Sequence, residues 1–146
     1  FEHALVMLDL EGSGVESQSR EQIEVYLEKN LSRNGWAGRS AAIAVDPELE
    51  AWVWSDSIEV DAALNWKGRQ PDVRSTIKKS TTYWEEKFPK PKRPKEALKW
   101  ALRNAKRPKP FSSSIFKDLS SRVSLNNCID PAFRKFRETL MTWFRN

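Results

Sequence analysis

Two short apolar segments on either side of a helical segment constrain the fold of this chain most strongly. Residues 3–10 (HALVMLDL) and residues 40–45 (SAAIAV) are apolar runs typical of strands that are buried on both faces of a parallel sheet. Between them, aliphatic side chains recur every four residues, at Ile23, Leu27 and Leu31. This spacing predicts a helix over residues 19–33, which Gly35 is placed to end. The front half therefore predicts a βαβ unit with a right-handed crossover.

The rest of the chain carries signals for helices and loops and no convincing strand. Two Asp-Pro pairs, at residues 46–47 and 130–131, combine a preferred helix N-cap with a proline at the first helical position. Apolar periodicity predicts a helix over residues 94–105 and a shorter one over residues 112–122. We expect one α/β domain over residues 1–146, with a small parallel sheet covered by several helices and a mainly helical C-terminal half.

Charge is divided unevenly along the sequence. Residues 1–66 contain 4 Lys/Arg and 13 Asp/Glu, a net charge of −9, whereas residues 67–146 contain 21 Lys/Arg and 7 Asp/Glu, a net charge of +14. An asymmetry of this size suggests a polyanionic partner for the basic part. Attraction between the two halves within the fold is an equally good explanation.

The cysteine content and the hydropathy bear on the compartment. Cys128 is the only cysteine, so an internal disulfide is excluded and a reducing compartment is expected. No apolar run approaches the length of a membrane-spanning helix, and no secretory leader is recognisable. We therefore expect a cytoplasmic protein without a membrane partner.

Acidic residues follow each of the two predicted strands. Asp9 and Glu11 end the first strand, and Glu48 and Glu50 follow the second. Because parallel strands of a βαβ unit end at the same edge, these carboxylates are expected to lie close together, where oxygen ligands suit Mg²⁺. Alternatively, Asp46 caps the following helix, Glu48 complements its dipole, and the other acids face solvent.

A basic segment with prolines leads into the predicted helix over residues 94–105. Its cations form the candidate nucleic-acid-binding set: Lys90, Lys92, Arg93, Lys95, Lys99, Arg103, Lys106, Arg107 and Lys109. Lys and Arg contacts to phosphates give affinity without sequence specificity. The alternative is a solvated helix face with hydrated loops. The seven Trp residues are mostly expected in the core, with Trp100 off the apolar face of its helix.

Several catalytic chemistries lack the residues that they need. His3 is the only histidine and lies inside a predicted strand, where we expect a role in the core or at the strand end. A Ser-His-Asp triad, a Cys-His dyad and a zinc site therefore lack partners. The chain has no GxxxxGK[ST] loop and no GxGxxG motif.

Three stretches together resemble a known family. LVMLDLEGSG, AIAVDPELEAWVWSDS and KPKRPKEAL resemble small Toprim-like proteins of the RloB and OLD-nuclease type, close to accessory components of bacterial methylation-associated anti-phage systems. The resemblance implies that Asp9 and Glu11 occupy the D-x-D position that binds Mg²⁺, with Glu replacing the second Asp. It maps the P-E-x-E-x-W element onto Pro47, Glu48, Glu50 and Trp52. An earlier strand with a glutamate is also implied, and the sequence does not display one.

Three hypotheses follow from the residues and the resemblance. In the first, Asp9, Glu11 and Glu50 (or Glu48) hold Mg²⁺ in a nuclease-like subunit, and the basic segment binds the strand. In the second, the chain is a catalytically inactive adaptor that contacts other proteins of a defence system. In the third, it is a plain nucleic-acid-binding module whose acids only cap helices.

Overall fold

The structure is a computed structural model that describes residues 2–145. Within that range the chain forms two β-strands and six α-helices: β1 (Ala4–Asp9), α1 (Arg20–Leu31), β2 (Ser40–Val45), α2 (Glu59–Ala63), α3 (Val73–Ser80), α4 (Pro94–Arg103), α5 (Ser113–Arg122) and α6 (Pro131–Trp143). A π-helical turn at Ser32–Trp36 and a 3-10 helix at Leu49–Trp54 join these elements. The predicted α/β class and the mainly helical C-terminal half are confirmed.

The elements fall into two compact units. The sheet unit comprises the chain up to Leu49 together with the segment from Ile129 onward, and the helical unit comprises Glu50–Cys128. The sheet unit contains β1, α1, β2 and α6, and the helical unit contains α2 to α5. That all 146 residues form one domain stays a prediction.

The sheet has two parallel strands, as predicted. β1 pairs with β2 in a register that runs from Ala4 opposite Ser40 to Asp9 opposite Val45. α1 connects them and packs on β2, and α6 also packs on β2. Five of the six β2 residues are buried, which matches its uniformly apolar sequence. The expectation that β1 is buried on both faces was wrong, since every residue of β1 keeps some exposure at the edge of so small a sheet.

Local sequence signals explain where α1 begins and ends. The Ser19 hydroxyl accepts the Gln22 N–H, and the Gln22 side chain accepts the Ser19 N–H at 2.8 Å, forming a capping box. The π-helical turn contains Gly35 at a φ of +87°, a left-handed conformation that glycine adopts without steric cost. Gly35 thus ends the helical segment, as its position predicted.

Side chains of α1 cover the outer edge of β2. Ala42 and Ala44 direct their N–H groups away from β1, and these donate to the carboxylates of Glu28 and Glu24, each at 3.0 Å. Lys135 of α6 donates to both carboxylates, at 2.7 Å to Glu28 and 3.0 Å to Glu24. Burial disfavours the charge of Lys135, but these hydrogen bonds outweigh burial and raise its pKa. Glu24 and Glu28 thus supply acceptors for the outward N–H groups of Ala42 and Ala44, where the sheet has no further strand within residues 2–145.

The Asp46 prediction requires correction. The 3-10 helix begins at Leu49, three residues after Asp46, so Asp46 lies too far back to cap it. The Leu49 N–H instead donates to a carboxylate oxygen of Asp9 at 2.8 Å. The cap of this helix is therefore Asp9, at the end of the neighbouring strand, and not Asp46 of the local Asp-Pro pair. The second pair behaves as predicted, since Asp130 accepts the N–H groups of the first turn of α6.

Tryptophan side chains organise the core of the helical unit. Trp54, Trp66 and Trp84 are buried, and their indole N–H groups donate to the carbonyls of Pro94, Ala101 and Phe88, respectively. The apolar face of α4 packs among them. This confirms tryptophan as chiefly a packing residue here. α4 ends at Arg103, two residues earlier than predicted. The Asn104 side chain donates back to the Trp100 carbonyl at this end.

Two further observations concern surfaces. No helix within residues 2–145 is long and apolar enough to cross a membrane. Phe144 lies just beyond the end of α6 and is 66% exposed.

Candidate nucleic-acid interface

The predicted acidic residues lie at the strand ends, and most of them are already engaged. Asp9 at the end of β1 accepts the Leu49 N–H, as described above. The Glu11 backbone N–H donates to the Pro47 carbonyl at 2.8 Å, so the segments after the two strands are adjacent, as expected. The Glu11 side chain is exposed, whereas Glu48 is 4% exposed. Glu50 is 6% exposed and faces Lys95 of α4 at 4.0 Å within the helical unit.

The arrangement does not fit a bound magnesium ion. Across residues 2–145, no group of three or more His, Cys, Asp or Glu side chains could hold a metal. A carboxylate oxygen of Asp9 has a backbone donor, and the Glu50 carboxylate has a lysine ammonium where a cation would bind. Mg²⁺ prefers several free carboxylate and water oxygens in near-octahedral geometry. The magnesium site, with Asp9, Glu11 and Glu50 as its catalytic set, therefore stays a prediction. The geometry does not support it.

The first part of the predicted basic set is largely paired within the helical unit. Lys92 contacts Glu85, Arg93 contacts Glu96 at 3.7 Å, and Lys95 contacts Glu50. Lys90 is partly buried. Lys99 lies over the ring of Phe111, with its ammonium 5.3 Å from the ring centroid. The charge density of the proline-rich segment is thus partly balanced by neighbours, as the solvated-face alternative predicts.

The remaining cations of this set border a groove. Arg103 and Lys106 are exposed at and just beyond the end of α4. Lys106 and Arg107 lie on one side of an open groove of ≈ 490 Å³, and Lys67 and Arg122 also line it. The other lining residues are Glu59, Ala62 and Asn65. Four cations therefore surround one groove together with a single acid.

Backbone contacts hold the walls of the groove together. Asn65 adopts a left-handed φ of +60°, and its side chain donates to the Arg107 carbonyl at 3.0 Å. Lys109 donates to the Ala63 carbonyl at 3.1 Å, which joins the same loop to the end of α2. Asp118 of α5 contacts Lys109 at 3.6 Å. The segments after α2 and after α4 and the helix α5 thus meet through these side-chain contacts.

Most of the groove cations have no acidic partner. Within residues 2–145, Lys67, Lys106 and Arg107 form no ion pair, and each is exposed. Only Arg122 is paired, with Asp118 at 2.8 Å. Like charges that converge on one concave surface raise the local positive potential and favour an anion there.

Sequence reasoning predicted two of the four cations that line this groove. Lys106 and Arg107 belonged to the predicted basic set, whereas Lys67 and Arg122 did not. Lys67 follows α2 and Arg122 ends α5, so neither is close to the basic segment in sequence. Only the packing of α2 on α5 brings them to the same groove. Helical periodicity within one segment gives no signal for such a set.

The two units also divide the charge of the chain. The helical unit contains 17 Lys/Arg and 9 Asp/Glu, a net charge of +8, and the sheet unit contains 8 Lys/Arg and 11 Asp/Glu, a net charge of −3. The excess of cations thus belongs to the unit that carries the groove, whereas α6, with its own basic residues, lies in the acidic unit.

Comparison with known proteins gave no relative: no family model, no curated protein and no solved structure matches this chain. Its function is therefore inferred from the geometry and charge of its own residues.

Proposed function

We propose that this protein binds nucleic acid through the phosphate backbone, using the groove of the helical unit, and that it does not cut the strand. The carrying observation is the convergence of Lys67, Lys106, Arg107 and Arg122 on one open groove, with three of the four cations unpaired within residues 2–145. Phosphate contacts of this kind are independent of base sequence and release counterions on binding.

The chemistry of the lining favours a polyanion over a small apolar ligand. Small-molecule pockets are mostly apolar with a few polar groups that orient the ligand. Within residues 2–145, six of the seven residues that line the groove carry charged or amide side chains, and the seventh is Ala62. An open, positively charged channel is the form that tracks a nucleic-acid backbone.

The resemblance to Toprim-like proteins of anti-phage systems supplies the wider context of the proposal. We propose a role as a nucleic-acid-binding component of such a system, acting with other defence proteins. We do not propose cleavage, because a nuclease of that family needs converging metal ligands. Asp9 already accepts a backbone N–H, and Glu50 faces a lysine.

The test uses two double variants that remove the same charge. Lys67→Ala with Lys106→Ala removes two groove lysines, and Lys79→Ala with Lys117→Ala removes two exposed lysines outside the groove lining. Binding of the full chain to labelled single- and double-stranded DNA and RNA is measured by fluorescence anisotropy over a range of salt concentrations. On duplex DNA the groove variant is expected to bind about tenfold more weakly and to lower the salt slope by about 1.8, since each lost phosphate contact removes about 0.9 there.

The control decides between a site and general attraction. The control variant is expected to bind like the wild type. Equal losses in both variants would show diffuse electrostatic attraction, and unchanged binding in the groove variant would refute the proposal. Magnesium is added in a parallel experiment, where the substrate is expected to stay intact. Cleavage that Asp9→Asn abolishes would instead support the nuclease hypothesis.

A further inference from the structure

The outer edge of β1 lacks a neighbouring strand. The N–H groups of Ala4 and Leu10 donate toward the β2 side, to the carbonyls of Arg39 at 3.0 Å and Val45 at 2.8 Å. Successive residues of a strand direct their N–H groups to opposite sides. The N–H and C=O groups of Leu5 and Met7 therefore point away from β2. Within residues 2–145 the sheet has two strands only, so no strand pairs with this edge.

The other edge of the sheet is treated differently. The outward N–H groups of Ala42 and Ala44 on β2 are capped by Glu28 and Glu24. Such side-chain capping prevents another strand from pairing with β2. The sheet can therefore be extended only beyond β1.

Residues 4–8 of β1 also lack the features that protect exposed edges, and the one charge of the strand, Asp9, lies at its end. Edge strands usually carry a charge, a proline or a bulge that blocks pairing with another chain. Residues 4–8 are ALVML, with none of these. Met7 is 39% exposed, and the exposed Phe144 packs against His3, just before β1, with ring centroids 5.8 Å apart. An open, apolar edge with exposed apolar side chains beside it is a surface for another strand.

We propose that the outer edge of β1 pairs antiparallel with the same edge of a second copy of this chain, forming one sheet of four strands. Pairing of identical edges closes into a two-fold dimer, which is the commonest form of homo-oligomer. Capping by Glu24 and Glu28 ends the combined sheet on both sides, so growth stops at the dimer.

Side-chain polarity selects the register of this pairing. When Val6 lies opposite Val6 of the second copy, Leu5 pairs with Met7, and His3 lies opposite Asp9. Leu5 and Met7 then exchange both of their outward backbone hydrogen bonds. A shift of two residues that centres the pairing on Met7 instead places Asp9 opposite Leu5, an acid against an apolar residue. The register centred on Val6 is therefore favoured.

The contact area indicates a dimer of modest affinity. Specific interfaces bury upwards of about 1,000 Å² in total, and two strands of six residues supply less by themselves. Met7, on the edge strand itself, adds apolar area on each copy. We expect dissociation in the micromolar range, on the order of 1–100 μM, which is typical of small interfaces.

Light scattering over a concentration series tests the dimer. The wild-type mass is expected to rise toward twice 16.9 kDa with concentration. Met7→Pro removes one outward N–H and none that faces β2, so it should leave the fold intact and keep the chain monomeric. Met7→Leu retains the N–H and should dimerise. Circular dichroism checks that both variants are folded. A wild-type chain that stays monomeric throughout the series would overturn the proposal.

Cysteine cross-linking tests the register. In a Cys128→Ala background, Val6→Cys places two thiols opposite each other in a non-hydrogen-bonded pair, about 4.5 Å apart between Cα atoms, which a disulfide can bridge. Met7→Cys places its thiol opposite Leu5 and should cross-link more slowly. Faster cross-linking through Met7→Cys would overturn the register, and equal rates would show random collision and overturn the defined pairing.

Discussion

Replacement of Glu24 by alanine is expected to destabilise the sheet unit strongly for a change on a helix surface. Glu24 is 4% exposed, and its carboxylate accepts the N–H of Ala44, which is 0% exposed. Alanine leaves that N–H buried without an acceptor, at a cost of about 1–3 kcal/mol. The loss of the contacts to Arg20 and Lys135, at 2.8 Å and 3.0 Å, adds about 1 kcal/mol, because both cations keep another acidic partner. The free energy of unfolding should therefore fall by about 2–4 kcal/mol.

Two matched variants separate the hydrogen bond from the charge. Glu24→Gln keeps a side-chain oxygen for the Ala44 N–H and loses only the ion pairs, so it should be destabilised less than Glu24→Ala. Glu21→Ala removes an exposed acid that contacts the same arginine, at 2.9 Å, and should have little effect.

Urea unfolding is followed by circular dichroism and by tryptophan fluorescence, to which Trp36 and Trp143 contribute from the sheet unit. Hydrogen exchange of the Ala44 amide gives a local measurement, with faster exchange expected only in Glu24→Ala. If Glu24→Ala and Glu21→Ala unfold at the same urea concentration, the edge-capping argument is wrong.

Two further predictions concern pH. Lys135 has a raised pKa in the folded protein, so its contribution to stability is present at pH values below the ordinary pKa of 10.5 and is lost as the pH rises through the folded pKa. Lys135→Met should remove this alkaline dependence from the urea midpoint of unfolding. Burial would raise the pKa of Asp72, but hydrogen bonds from the backbone and side chain of Ser75 outweigh burial and lower that pKa. The cap of α3 therefore stabilises the folded protein at pH values above the ordinary pKa of 3.8, and this contribution is lost as the pH falls through the lower folded pKa. Asp72→Ala should cost about 1 kcal/mol at neutral pH and flatten this acid dependence, as measured by urea unfolding from pH 7 downward.

The sequence predicted the elements whose signals are local. The apolar runs located β1 and β2, the four-residue spacing located α1, and the Asp-Pro pair at residues 130–131 located the start of α6. In each case the residues that determine the element are adjacent or within one or two helical turns of each other. Local patterns of this kind depend little on what packs against them.

Features that depend on distant partners could not be read in this way. Leu49 is capped by Asp9, 40 residues earlier, so the nearer Asp46 was the wrong choice. Glu24 and Glu28 look like ordinary helix-surface acids until β2 brings buried N–H groups within reach of them. The groove joins segments after α2, after α4 and at the end of α5, which no single periodicity relates.

The acids and the cations of this chain differ in how far the fold already engages them, and this difference decides which of them can take part in function. In the sheet unit, Asp9, Glu24 and Glu28 each accept a backbone N–H, so the fold already uses part of their capacity as acceptors. In the helical unit, Lys67, Lys106 and Arg107 take part in no ion pair within residues 2–145, and a phosphate could bind them without disrupting any such contact. A ligand gains most from groups whose charge is still exposed to water and concentrated in one place. By this argument the basic groove is a better candidate for function than the acidic strand ends, although the acids were the more conspicuous feature of the sequence.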